Sequence, residues 1–277
     1  MQSPDPVPPD LALAWLALQA EWGAVDGLAD APQDHTQPPP RAEPTRPIPL
    51  RPTTHSPPRP AAAPTTAAPA PAMSLAGLRA ALEAFDDCAL KRTATQLVFA
   101  DGSETARIML IGEAPGGEED RAGRPFVGPA GQLLDRMLAS IGLDRTQVRI
   151  VNVVPWRPPG NRNPSEAEIA QCLPFLHQHI ALIRPQRLLL LGAVAVRALI
   201  GGKEGISRVR GSWKSVTIPG LDQPVRALPT YHPAFLLRQP SAKRLAWTDL
   251  LTLRQDCVED SVLLNAAPQK QQSITES

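Results

Sequence analysis

Hydrophobic positions along this chain follow two rhythms. Four short apolar runs, Arg107–Gly112, Val148–Val154, Arg187–Leu191 and Val225–Pro229, read as strands. Between them, apolar residues recur three and four apart, the helical spacing. Leu75–Ala84 is one such helix. Gly131–Ile141 is another, with Leu133, Leu134, Met137, Leu138 and Ile141 on one face. Ser165 opens a third that runs to about Ile183, and Glu168 three residues on completes a capping-box pattern. Ala193–Ile200 and Trp247–Cys257 are the remaining two. Strands apolar on both sides, separated by helices, imply a parallel sheet covered on both faces. The expected fold is α/β, three-layer α/β/α, with a central four-stranded parallel sheet.

The flanks differ from this core. Asp10 can cap a helix over residues 10–29 in which Leu11, Trp15, Leu18 and Trp22 form an apolar stripe. A lone helix of that length is marginal in water, so residues 1–31 are expected to dock on their own core or on a partner protein. Of 33 prolines, 18 precede Ala72. Residues 32–73 therefore read as a Pro/Ala-rich disordered linker that cannot bury enough apolar surface to offset its ordering entropy. One ordinary domain is expected over 74–257, followed by a flexible tail over 258–277. Three cysteines are too few for a disulfide scaffold and fit a reducing compartment. With no signal-peptide pattern and no membrane-length apolar run, a cytoplasmic protein with no membrane contact is expected. The net charge of +1 shows no overall basic excess, so any nucleic-acid partner would need a local basic face.

Open α/β sheets carry their sites at the carboxyl ends of strands. The first strand here runs into Gly112-Glu113-Ala114-Pro115-Gly116-Gly117-Glu118-Glu119-Asp120, then Gly123-Arg124-Pro125-Phe126-Val127-Gly128. The second gives Asn152 and then Pro155-Trp156-Arg157-Pro158-Pro159-Gly160-Asn161-Arg162. The third leads to Gly192-Ala193-Val194, and the fourth to Tyr231-His232-Pro233-Ala234-Phe235-Leu236-Leu237-Arg238. A carboxylate, an amide, a histidine and an aromatic face are thereby brought to one edge. Taken singly, Asn152 reads first as a loop cap or bridge, and His232 reads equally as a turn residue before proline; their joint placement at successive strand ends shifts both toward a site.

In order and spacing, Gly112–Asp120, Gly123–Gly128, Asn152–Arg162 and His232–Leu237 resemble the four signature blocks of the family-four uracil-DNA glycosylases, across about residues 85–255. The resemblance implies an enzyme that flips deoxyuridine out of DNA and hydrolyses its N-glycosidic bond, leaving an abasic site. It implies that Phe126 stacks on the base, Asn152 reads its Watson–Crick edge, and His232 stabilises charge on the leaving base. Glu113 would orient or activate water, Ala114 and Gly116 would offer backbone contacts, and Glu119 would help bar a 5-methyl group. The residue chemistry agrees. An Asn amide sets a donor beside an acceptor, which matches O4 and N3–H of uracil but not cytosine. Leu236, Leu237 and Arg238 suit a wedge that fills the vacated stack and grips phosphate, or else a helix start packed on the core. Arg157, Arg162, Arg208, Arg210, Lys214, Arg238, Lys243 and Arg244 are candidates for the basic face.

Members of that family hold a 4Fe-4S cluster on four cysteines. Here Phe85 and Cys88 stand at the first pair of positions, Trp156 at the third and Cys172 at the fourth. Two thiolates cannot hold such a cluster in the ordinary way, so no cofactor is expected and the two aromatics are expected to fill its space. Cys257 reads as a small buried residue. The inserted loop by which a related branch cross-links to abasic sites is missing after Asn152. The expected partner is uracil-containing DNA, single- or double-stranded, bound by a monomer. Rival readings are a DNA-binding or scaffold protein that lost the chemistry, and a glycosylase for another deaminated base.

Overall fold

The computed structural model describes residues 72–259, Lys203 excepted. The helix expected over 10–29, the linker up to residue 71 and the tail beyond residue 259 lie outside the described residues. The elements in chain order are α1 (Leu75–Ala84), β1 (Asp101–Gly102), β2 (Ile108–Gly112), α2 (Gly117–Ala122), α3 (Pro129–Ala139), β3 (Val148–Asn152), α4 (Glu166–Ile183), β4 (Arg187–Leu191), α5 (Ala193–Leu199), α6 (Ile206–Val209), β5 (Lys214–Val216), β6 (Val225–Thr230), α7 (Pro233–Arg238) and α8 (Lys243–Glu259).

The sheet order is β1-β3-β2-β4-β6-β5. The four apolar strands β3, β2, β4 and β6 run parallel at its centre. Two short strands, β1 and β5, add to the edges antiparallel and make six where four were expected. Asp101–Gly102 and Lys214–Val216 carry too few apolar residues to signal a strand; pairing with a neighbour recruits them.

Alternation along each strand sorts side chains to two cores. Met109, Ile111, Val151, Leu188 and Leu190 pack with residues of α1, α4 and α5. Ile108, Leu110, Ile150, Leu189 and Leu191 pack with residues of α3 and α8. This is the α/β/α layering expected from the strand pattern. The capping box at α4 forms as read: the Glu168 N–H donates to Ser165 Oγ, and the Ser165 N–H donates to the Glu168 carboxylate at 2.7 Å. Helix α8 begins at Lys243, four residues earlier than its apolar spacing suggested, directly after a 3-10 turn over Pro240–Ala242. Within it, Ala246, Leu250, Leu253 and Cys257 are buried at helical intervals. No helix among the described residues is long and apolar enough to cross a membrane.

Helices α2 and α6 fall where no helix was expected, and α7 where a helix start was the alternative reading. Helix α2 (GEEDRA) has no apolar stripe, but Glu118, Glu119 and Asp120 lie in its first turn, where the helix dipole favours acids, and Gly123 ends it in the left-handed conformation. Asp120 is buried and accepts from the N–H (2.8 Å) and the hydroxyl (2.7 Å) of Thr95. Helix α7 starts with Pro233 at its first position and His232 as N-cap.

Asp249 of α8 ties that helix to the end of β6. Fully buried, it accepts from the Thr230 hydroxyl at 2.7 Å and from Arg210 Nε at 3.0 Å, with Arg210 Nη2 on its other oxygen. Burial pushes its pKa up, against Thr230 and Arg210, which lower it. Removing the carboxylate would strand the guanidinium. Asp249→Ala is expected to destabilise the fold by roughly 3–5 kcal/mol, read as a lower urea midpoint at unchanged slope.

Candidate active site

The parallel register sets Gly112 beside Asn152 and Leu191 beside Thr230. The loops that leave these four strands therefore open on one edge. Between them lies a cavity of about 350 Å³ lined by Glu113, Ala114, Gly116, Glu119, Phe126, Asn152, Arg162, His232 and Arg238, among others. Strand ends far apart in sequence thus converge as expected. A larger open cleft of about 580 Å³ lies at the opposite edge, along Arg184–Arg187 and Leu221–Val225, away from the strand ends that carry Glu113, Asn152 and His232.

Asn152 and Phe126 meet over Gly112. A β-carbon at position 112 would sit 2.4 Å from Asn152 Oδ1 and 2.6 Å from the Phe126 ring. Glycine is thus required by close approach rather than by backbone conformation. Asn152 is buried, and its Oδ1 is the one buried side-chain nitrogen or oxygen among the described residues with no hydrogen-bond partner. An unpaired buried acceptor costs about 1–3 kcal/mol, and no group of the described chain offsets that cost here.

Phe126 occupies the left-handed region at φ 55°, unusual for a bulky residue and costly by about 1–2 kcal/mol. Its ring lies 5.5 Å from the imidazole of His232, tilted by 30°. Glu119 secures the loop that carries it. One carboxylate oxygen accepts from the N–H groups of Val127 and Gly128, both at 2.9 Å, and the other accepts from the Gly116 N–H at 3.1 Å. Glu119 therefore lines the cavity as a clamp between α2 and the Phe126 turn.

His232 Nδ1 accepts from the Ala234 N–H at 3.1 Å. In the neutral ring the proton is then on Nε2, available as a donor. Burial first, and Arg238 second, push the pKa down to about 4. Gly192, at φ 92°, leaves room for the ring, since a β-carbon there would come within 2.9 Å of His232 Cβ. Glu113 is partly buried. Burial raises its pKa, while Arg197 and Arg238 pull it down.

The cationic candidates divide. Arg238 and Arg162 line the cavity. Arg162 also forks onto Glu168 at 2.9 and 2.6 Å, which holds the Glu168 carboxyl down at about 2. Arg157 is steadied by Asn161 through a 2.8 Å hydrogen bond. Arg208, Lys243 and Arg244 are exposed. Arg210 is spent on Asp249 and is withdrawn from any basic face. Leu236 is likewise corrected: at 1% exposure it is core, because α7 turns it inward onto the α3 and α8 layer. Leu237, 40% exposed, is the apolar tip left beside Arg238. Arg145, which touches the backbone of the Phe126 turn, went unnoticed in the sequence because it lies in the loop after α3 and belongs to no motif.

A family model for the uracil DNA glycosylase superfamily matches residues 99–251. The chain is 40% identical over 175 residues to a type-4 uracil-DNA glycosylase of Pyrobaculum aerophilum, covering 62% of this chain and 88% of that protein. It is 43% identical over 155 residues to the type-4 uracil-DNA glycosylase of Thermotoga maritima, covering 56% and 78%. The chain belongs to the type-4 uracil-DNA glycosylases. It is more distant from the type-5 uracil-DNA glycosylase of P. aerophilum, at 30% identity over 148 residues.

Type-4 uracil-DNA glycosylases are iron–sulfur proteins as a family, so the four corresponding positions matter. In this uracil-DNA glycosylase Cys88 and Cys172 are buried free thiols in side-chain contact. Contact with Cys172 pulls the Cys88 thiol down to about 7, and the same contact, with burial, pushes Cys172 up. Phe85 stacks on Trp156 at 6.4 Å and meets Phe175 edge-on at 4.9 Å. Trp156 is 2% exposed. Among the described residues no third His, Cys, Asp or Glu joins the two thiols. Two thiols and two packed rings do not fit a four-thiolate cluster.

The sign of the His232 shift predicts a pH effect. With a folded pKa of about 4 and an unfolded one near 6.5, the unfolded chain takes up the proton first. Stability is therefore lost as pH falls from about 6.5 to about 4. His232→Gln removes this slope, on the order of 3 kcal/mol, in urea titrations across that window. His179, whose pKa burial lowers to about 3, titrates in both proteins and cancels.

Proposed function

We propose that this glycosylase takes a deoxyuridine flipped out of DNA into the Phe126–Asn152–His232 cavity and hydrolyses its N-glycosidic bond, releasing uracil and leaving an abasic site. The partnerless Oδ1 of Asn152 carries the reading: an acceptor fixed at the base of a cavity beside an aromatic face calls for a ring N–H such as N3–H of uracil. The amide nitrogen then donates to O4, and cytosine, with an unprotonated N3 and an amino group at C4, mismatches both. Phe126 stacks on the base. Ala114 and Gly116 line its edge, and the clamp at Glu119 holds the wall against which a 5-methyl group would press.

In the reaction the C1′–N1 bond breaks and its electron pair leaves on the base. His232, neutral at physiological pH, donates from Nε2 to O2 as charge grows there, which is oxyanion-hole logic. The sugar gains oxocarbenium character, and Glu113 as carboxylate stabilises it and orients the water that adds to C1′. Arg157, Arg162 and Arg238 contact phosphates, and Leu237 enters the gap left by the flipped nucleotide.

Incubation with a single-uracil oligonucleotide, followed by alkali, should cut the strand at the uracil. Glu113→Gln and His232→Ala should each lower the rate about 100-fold or more. Cutting of a hypoxanthine oligonucleotide but not the uracil one would instead favour another deaminated base, and cutting of neither would favour a DNA-binding role.

We also infer that the cluster is absent and that Phe85 and Trp156 take its volume. Protein purified without oxygen should be colourless and carry far less than one iron per chain. Stoichiometric iron with a visible charge-transfer band would overturn this.

A further inference from the structure

The Phe126 turn is held from two sides, and only one belongs to the cavity. Glu119 grips it from within, at Val127 and Gly128. From behind comes Arg145, which lines no part of the cavity. Its Nη2 donates to the Phe126 carbonyl and its Nη1 to the Pro125 carbonyl at 3.3 Å. The guanidinium is itself aimed by two carboxylates. Asp101, on the edge strand β1, accepts from Nη1 at 2.7 Å, and Asp135, on α3, accepts from Nε at 2.7 Å.

The left-handed φ of Phe126 gives this contact its meaning. A bulky residue holds that conformation only where its surroundings over-determine it. The turned carbonyl presses so closely on α3 that a β-carbon at Gly131 would lie 1.7 Å from its oxygen. The remaining approach to this carbonyl is filled by the Arg145 fork, whose planar donors reach two adjacent carbonyls and two carboxylates together. A lysine ammonium is a single point and cannot do so.

We propose that Arg145 is a positioning residue for the glycosylase reaction, acting through the Phe126 backbone to fix the ring against which the base stacks. This rests on the stacking role proposed for Phe126. Through Asp101 and Asp135 it makes the site depend on an edge strand and on the outer side of α3, neither of which touches the cavity.

A double-mutant cycle on the full chain tests this, with kcat and KM measured on a single-uracil oligonucleotide. Arg145→Lys should lower kcat about ten-fold while KM for DNA changes little, because the phosphate contacts are untouched. Phe126→Ala should lower kcat by at least as much. In the Phe126→Ala background, Arg145→Lys should cost less than about two-fold, since the ring it serves is gone. Asp135→Asn keeps the arginine but loosens its aim, and should give a smaller loss with the same non-additivity and an unchanged melting temperature. Equal losses from Arg145→Lys in both backgrounds would mean a merely structural role and overturn the inference. So would full activity of Arg145→Lys beside a damaging Phe126→Ala. Full activity of Phe126→Ala would overturn the stacking reading itself, and the inference with it.

Discussion

The bare α-carbon of Gly112 is the constraint on which the site depends. Parallel register brings Asn152 alongside it, and the turn after α2 lays Phe126 across it. Both contacts are closer than a β-carbon allows. The amide and the ring therefore share one floor, and the separation between the Asn152 amide and the Phe126 ring is set by backbone, the stiffest part of the fold. Around that floor the other contacts are supports. Glu119 and Arg145 hold the Phe126 turn from its two sides, Gly131 yields space to its carbonyl, and Gly192 yields space to His232.

Burial sets the charge states within this frame. The same desolvation that keeps His232 neutral raises the pKa of Glu113, and Arg238 acts on both groups in the direction that favours chemistry near neutral pH. A neutral histidine whose Nδ1 is occupied by a backbone N–H has one proton and one direction in which to donate it. An imidazolium would bind an anion in the ground state as well as in the transition state. A neutral donor strengthens its bond mainly as charge develops, which is the differential interaction that lowers a barrier.

The core on the other face of the sheet is held by aromatic packing. Cys88, Cys172, Phe85 and Trp156 pack with residues of α1 and α4, together with Val151 of the strand that delivers Asn152. Two stacked rings and an edge-on third hold this region by apolar burial and quadrupole contacts. The strand beneath the site needs a packed neighbour, and these rings supply one. The N-glycosidic hydrolysis itself involves no electron transfer, so the proposed chemistry runs without a redox group.

Much of this was legible in the chain itself. Four apolar runs and the helices between them dictate a parallel sheet in three layers, because a strand apolar on both sides must be covered on both sides. That Glu113, Phe126, Asn152 and His232 gather at one sheet edge was legible because each lies in a Gly- or Pro-marked block at or beyond a strand end. Edge strands β1 and β5 were not, since backbone pairing rather than side-chain pattern recruits them. For Leu236 the pattern left a wedge and a helix start packed on the core both open, and the helix phase decided for the core; the consumption of Arg210 by Asp249 was not legible, for an ion pair across the fold leaves no local trace. Arg145 is the clearest case: as a sequence position it is one arginine among many, and only the folded chain sets its guanidinium against the Phe126 carbonyl. Sequence alone determined the four central strands, the main helices between them and which residues reach the sheet edge, because those follow from local periodicity and chain order. Tertiary structure decided which polar groups are satisfied, neutral or left waiting for a ligand, because hydrogen bonding and desolvation depend on neighbours far away along the chain.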